Sequence, residues 1–351
     1  MSQTILSINV YRSKEAWFLL NQAEICQPDE KCVKLSSCTH LKYIVNSQAN
    51  RNLMKERKCG PKFYYCCPEP ANKLPNNRKC GKSPAVDRIS GGKNMGPNRF
   101  PWMALLLYRN RKTWKARLVP ACGGSLINNR YVLTAAHCVV KGPLLPQDLV
   151  IQRVRLGEHD TSVDPDCQYG YSWSSGKRCA PPHLEIDIEK FIAHTDYSKS
   201  NVYHYDIALL RLQMPVRYTP AIKPICVLRD SVSFNNSKVA GWGKTESGNT
   251  SPVLLETNVM EIRSSFCLKA YPHLEFNSLL QICVGALNGS DTCDGDSGGP
   301  LMATMGQSYE EFEYVAGITS YGHRTCGVTG RPGVYTRVPQ FFGWITANLM
   351  P

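Results

Sequence analysis

Cysteine constrains this chain more than any other residue type. Six of its sixteen cysteines, Cys26, Cys32, Cys38, Cys59, Cys66 and Cys67, lie in a segment too small to fold on an apolar core alone, so bridges must hold it. Six cysteines admit fifteen pairings, and the adjacent Cys66 and Cys67 are poorly placed to pair with each other. Cys80 follows, and beyond Arg88 stand Cys122, Cys138, Cys167, Cys179, Cys226, Cys267, Cys283, Cys293 and Cys326. These nine are an odd number, so one needs a partner from upstream. With no Cys-x-x-Cys of the zinc type, this density excludes a reduced cytosolic enzyme and implies secretion. Asn-x-Ser/Thr triplets at Asn235, Asn249 and Asn288 fit glycosylation in that compartment.

The 351 residues suffice for one large domain or two. Positions 4–10 are short for a secretory h-region and are followed by Arg12, Lys14 and Glu15, so residues 1–25 read as an N-terminal segment with no convincing signal peptide. The cysteines still argue for export. No stretch approaches the run of about 18 apolar residues that a membrane span requires. Residues 68–88 carry Pro68, Pro70, Pro75 and Pro84 with no apolar period and read as a linker. The formal net charge of +13 favours acidic partners such as sulfated glycans or microbial surfaces. No Lys/Arg run is dense enough for a nucleic-acid patch, and solvated basic faces account for the excess more simply.

Three short motifs carry chemistry. Ser297 stands between Gly295 and Gly298, where the backbone can turn sharply, expose the hydroxyl and converge the N–H groups of Gly295 and Ser297 on a developing oxyanion. His137 ends the apolar run 131–133 beside Cys138, and Asp206 opens the apolar run 207–210. Each alone is more often structural: a surface turn, a core histidine, a strand cap. Together they supply a nucleophile, a general base and an anion that orients the base. The runs 125–127 and 131–133 flank Asn128-Asn129 as a hairpin, and 150–156, 206–212, 238–242, 314–321 and 333–338 are further strands. Regular short strands suggest paired β-barrels. Phe341, Trp344 and Ile345 at helical spacing predict a C-terminal helix docked by an apolar stripe.

In these motifs, and in the chain order His, Asp, Ser, residues 89–351 resemble the trypsin-like serine proteases. The spacing of the first six cysteines, ending in a Cys-Cys pair, resembles the clip domain of arthropod cascade proteases. The resemblance implies an all-β, chymotrypsin-like double β-barrel with a C-terminal helix over 89–351, a clip domain over 26–67, and an activation site closing the linker. It implies the bridges Cys26–Cys66, Cys32–Cys59 and Cys38–Cys67. In the larger domain it implies Cys122–Cys138, Cys267–Cys283 and Cys293–Cys326, with Cys167–Cys179 as an added loop bridge. Cys80 then ties to Cys226, which would keep the two chains joined after cleavage. Cleavage after Arg88 frees the Ile89 amine to pair with Asp296. Asp291 forms the floor of the specificity pocket, and Gly322 and Gly333 leave room in its walls for Arg or Lys. Thr292, where serine is usual, favours Arg. Tyr321 replaces a common tryptophan, and Pro332 stands where sodium-activated relatives carry tyrosine, so no Na⁺ regulation is expected.

No cofactor is needed for the chemistry. Glu158, Asp160, Asp164 and Asp166 in the loop 156–182 have the oxygen-ligand density of a structural Ca²⁺ site, although an acidic solvated turn explains them nearly as well. The expected protein is a zymogen of an extracellular (haemolymph) cascade, innate immune (melanisation or Toll) or developmental. It would be cut by an upstream protease, would cut a downstream zymogen or cytokine precursor after Arg (or Lys), and would be inhibited by serpins. The competing readings are a non-catalytic clip-domain adaptor, which usually lacks the nucleophile, and a digestive trypsin, which lacks the clip segment.

Overall fold

The computed structural model describes residues 26–39, 41, 51–83, 96–112, 117–142, 145–169, 177–197, 203–230, 237–245, 249–286, 296–307, 310–322 and 332–351. Two compact units divide the chain, one ending at Pro70 and one spanning Ala71–Met350.

In the first unit Glu30–Lys34 (β1) and Tyr64–Pro68 (β2) pair antiparallel, and Arg51–Lys55 (α1) lies between them in sequence. Register places Cys32 opposite Cys66, yet the two bond elsewhere: the bridges are Cys26–Cys66, Cys32–Cys59 and Cys38–Cys67. Each neighbour of the vicinal pair thus reaches a different part of the segment. The apolar interior is small, with Cys38, Leu41, Met54, Cys59 and Cys66 buried. Beside it Arg57 Nη1 meets Glu30 Oε1 at 2.5 Å, with both side chains 2% exposed. A charge buried this far is costly unless paired, so the pair is held together by the loss that either partner would suffer alone. Arg57→Met is expected to destabilise this unit by about 3–5 kcal/mol. Replacing both residues, as Arg57→Met with Glu30→Leu, should recover most of that loss. Chemical unfolding and limited proteolysis within residues 26–67 of the intact chain would measure both.

The second unit is built from two closed barrels of six strands each. Met103–Asn110 (β3), Val119–Leu126 (β4), Tyr131–Thr134 (β5) and Leu149–Leu156 (β6) begin the first. Cys167–Tyr169 (β7) and Lys177–Cys179 (β8) form a separate ribbon closed by Cys167–Cys179. Leu184–Ala193 (β9) and Ala208–Leu212 (β10) complete the barrel, in the order β10-β5-β4-β3-β6-β9. The second barrel uses Ser237–Gly241 (β11), Leu255–Glu261 (β12), Gln281–Ala286 (β13), Pro300–Met305 (β14), Phe312–Tyr321 (β15) and Gly333–Arg337 (β16), in the order β11-β12-β13-β16-β15-β14. Helix Ser264–Ala270 (α2) links β12 to β13, and the bridge Cys267–Cys283 fastens it to the barrel.

Local chemistry explains the elements that matter for the site. At the β4–β5 hairpin Asn128 Oδ1 accepts from the N–H groups of Arg130 and Tyr131, both at 2.9 Å, an Asx turn that sets Leu126 opposite Val132. The second barrel closes over Val239, Val259, Ile282, Val284, Leu301, Tyr314 and Tyr335. Trp102, fully buried, directs its indole N–H at Met302 Sδ on β14, joining the barrels. At the C-terminus Phe342–Ala347 (α3) buries Ile345, with Phe341 buried just before it. Trp344 is half-buried and packs on the His194 ring at 5.2 Å.

Residues 71–83, which read as linker, belong to this second unit. Ala71 and Cys80 are buried, Asn128 Nδ2 donates to the Ala71 carbonyl at 2.8 Å, and Cys80 is bridged to Cys226. The Gly81 carbonyl accepts from Glu313 N, Gly81 N donates to the Pro224 carbonyl, and a Cβ on Gly81 would collide with the Glu313 carbonyl. One disulfide and backbone pairing hold the segment, neither of which needs the apolar periodicity whose absence suggested a linker. Among the described residues no helix is long and apolar enough to cross a membrane.

Candidate active site

The site begins with a carboxylate that has no access to water. Asp206 lies two residues before β10 and is 0% exposed. Its Oδ1 accepts from the His137 backbone N–H at 2.9 Å, and its Oδ2 from His137 Nδ1 at 2.8 Å. Ser320 Oγ donates to Oδ2 at 2.6 Å, and Thr336 Oγ1 donates to the Asp206 carbonyl at 2.9 Å. Ser320 and Thr336 sit on β15 and β16, so the second barrel supplies donors to an acid rooted in the first. These charge-assisted bonds offset the burial of the carboxylate.

His137 sits in the short helical turn Ala136–Cys138 after β5 and is itself buried. The bridge Cys122–Cys138 pins that turn to β4, and the buried Tyr108 hydroxyl donates to the Cys138 carbonyl at 2.8 Å. Burial pushes the Tyr108 phenol up, so it stays a donor. With Nδ1–H donating to the Asp206 carboxylate, the imidazole keeps its Nε2 lone pair to take a proton.

The Ser297 segment is stitched to both barrels. The Ser297 carbonyl accepts from Gly123 N on β4 at 2.8 Å, and Gly298 N donates to the Thr319 carbonyl on β15 at 2.9 Å. Gly298 has φ +79°, and a Cβ there would run into Thr134 Oγ1 and the Gly123 carbonyl, so no other residue fits without strain. Asp296, one residue before the serine, accepts from Gly243 N at 2.8 Å. Gly241 and Gly243 form its seat, since a Cβ on either would collide with the Asp296 carboxylate.

Gly322 and Gly333 lie together, an added Cβ on Gly322 coming within 3.8 Å of Gly333 Cα, with no other described residue within 4 Å. Beside them the Tyr321 ring packs between Tyr203 at 4.3 Å and Tyr271 at 5.5 Å. Asn249 is exposed in a turn. Arg88, Ile89, Asp291, Thr292, Cys293, Gly295, Cys326, Asn235 and Asn288 lie outside the described residues. The four acids of the loop 156–182 accept from different neighbours. Glu158 accepts from Arg155 at 2.9 Å and from His159 N at 3.0 Å, and Asp166 accepts from the N–H groups of His159 and Asp160. Asp160 turns to Ser162. The His159 N–H is shared by Glu158 and Asp166, and His183 lies between Glu158 and Asp164. Burial raises the Glu158 pKa, against the pull of Arg155.

Ser320, Thr336, Gly241 and Gly243 are the parts of the site that the sequence alone did not reveal. Gly241-Trp242-Gly243 stood out only as the end of a strand, and its task follows from what it faces.

Two six-stranded barrels sharing a buried Asp–His couple define a protein of the chymotrypsin-like class. The Trypsin family profile matches residues 89–345. Spaetzle-processing enzyme of Drosophila melanogaster is 37% identical, over 99% of this chain and 96% of its own length. Phenoloxidase-activating factor 1 of Holotrichia diomphalia is 34% identical, over 92% of this chain and 91% of its own. A solved structure, the Drosophila Grass clip serine protease of the Toll pathway, superposes with a TM-score of 0.65 at 33% identity, covering 92% of this chain and 95% of that one. The chain belongs to the trypsin family, in its clip-domain serine protease branch.

Gly241→Ala should displace Asp296 and cost about 1–3 kcal/mol of stability. Thermal unfolding of the second unit would register it, while Gly142→Ala, where a Cβ meets none of the described residues within 4 Å, should leave the transition in place.

Proposed function

We propose that this chain is a secreted zymogen which, once cut after Arg88, hydrolyses proteins after arginine in an extracellular cascade. The observation that carries the reading is the buried Asp206–His137 couple, with both carboxylate oxygens engaged and the Ser297-Gly298 segment tied to both barrels. Ser297 Oγ attacks the scissile carbonyl while His137 Nε2 takes its proton. Asp206 stabilises the resulting imidazolium, and the N–H groups of Gly295 and Ser297 hold the oxyanion. His137 returns the proton to the departing amine, leaving an acyl-enzyme. Water, deprotonated by the same imidazole, then releases the acid and restores Ser297.

Asp291 at the pocket floor, with room beside Gly322 and Gly333, would select a long cationic side chain, and Thr292 favours Arg over Lys. The new Ile89 amine would pair with Asp296 and order the loop that carries Gly295. The Cys80–Cys226 bridge would keep the clip-bearing chain attached after the cut. The clip region would dock partners, the substrate being a zymogen or cytokine precursor, the activator an upstream protease and the inhibitor a serpin. Immune cascades are the favoured setting, because a relative is named for processing Spaetzle and another for activating phenoloxidase.

A fluorophosphonate probe should label the chain after cleavage at Arg88 and not before. Ser297→Ala should abolish the label, and Asp206→Asn should lower kcat by about 10⁴-fold. On a gel the labelled product should run as one species until reduced. Absence of label from correctly cut material would favour the adaptor reading. Equal kcat/KM on matched Arg and Lys peptides would remove the arginine preference.

A further inference from the structure

Tyr205, the residue before the buried acid, has φ +54°, in the left-handed region that a non-glycine side chain rarely enters. Directly after it the Ile207 N–H donates to the Tyr205 carbonyl at 2.8 Å, closing a three-residue turn with Asp206 at its centre. The carboxylate is thus aimed at His137 through an unfavourable backbone step. A conformation of this kind persists only where its surroundings over-determine it.

Those surroundings converge on His194, the first residue after β9. Its backbone N–H donates to the Ile207 carbonyl at 3.0 Å, and its ring stacks on Tyr205 with centroids 4.9 Å apart and planes at 20°. One residue therefore grips the turn on both sides of Asp206. Other groups hold the imidazole itself. Phe341 meets it edge-on at 5.4 Å and Trp344 packs on it at 5.2 Å, and Phe341 also meets the Tyr205 ring edge-on at 6.1 Å. The Asp196 N–H donates to His194 Nδ1 at 3.2 Å, which fixes the rotation of the ring. The side chain is 11% exposed, and burial lowers its pKa against the pull of the Asp196 carboxylate, so the stacking ring is a neutral imidazole.

We propose that His194 is a positioning residue for the orienting acid: by clamping Tyr205 and Ile207 it holds the left-handed turn that delivers Asp206 to His137. The proposal rests on reading that couple as a general base and the anion that orients it. In the intact chain cut after Arg88, His194→Ala should lower kcat by about 10- to 100-fold, as a misplacement of about 1 Å would, while KM stays within about twofold. His194→Phe keeps a stacking ring and should recover most of the loss. Asparagine enters the left-handed region more readily than tyrosine, so adding Tyr205→Asn to His194→Ala should raise kcat again, although it removes still more packing. Val259→Ala, which empties part of the second barrel's interior, controls for lost stability and should leave kcat within about twofold.

The downfield proton resonance of His137 Nδ1–H, donated to Asp206, gives a readout that needs no turnover. It should shift or vanish in His194→Ala and return in the double variant. A folded His194→Ala with full kcat, or with this resonance in place, would overturn the proposal, and so would a double variant no better than His194→Ala. An inert parent chain would count against the hydrolase reading instead, and the resonance would still decide the role of His194.

Discussion

The hydrogen bonds that converge on Asp206 are the constraint around which the second unit is arranged. An ionised carboxylate at 0% exposure would be intolerable in an apolar barrel, and it is stable here because donors arrive from both barrels at once. His137 contributes two of them, so the same interactions that stabilise the acid fix the imidazole in position and tautomer. Ser320 comes from β15 of the other barrel. The cleft chemistry and the packing of the barrels therefore rest on one set of bonds, and neither barrel alone could form it.

The serine segment follows the same logic from the other side. Ser297 and Gly298 bond to β4 and β15, and the glycine at 298 lets the chain approach Thr134 and Gly123 closely enough for both bonds. Upstream, Asp296 rests in the hollow left by Gly241 and Gly243, the place where a cationic amine would stabilise it. Cys80–Cys226 and the pairing of Gly81 with Glu313 hold the segment before the proposed cut against the second barrel. Cleavage can thus free one chain end while the other stays anchored.

Much of this was legible in the sequence, for identifiable reasons. Ser297, His137 and Asp206 stand in local motifs that the chemistry requires, and the hairpin at Asn128-Asn129 carries its own turn signal. The C-terminal helix announced itself by the spacing of Phe341 and Ile345. What escaped reading was non-local. Strand β3 is a continuous buried apolar run without alternation, so period-2 reasoning passes over it. Residues 71–83 read as linker, and their place in the second unit was missed even though the bridge from Cys80 to Cys226 that anchors them was expected. Ser320 and Gly241 look ordinary until the fold brings Asp206 and Asp296 to them. For the acids at 158–166 composition showed the oxygens but not the Arg155 guanidinium and the backbone N–H groups that reach them.

The central claim is that a buried aspartate, acting through one histidine, makes Ser297 a nucleophile that is silent until the chain is cut after Arg88. Pre-steady-state hydrolysis of a chromogenic arginine ester tests it most directly, because an acyl-enzyme on a single serine gives a stoichiometric burst. The account predicts release of about one leaving group per cut chain before the slower steady state, and no burst from the uncut chain. Steady release without a burst, or an equal burst from uncut material, would contradict it.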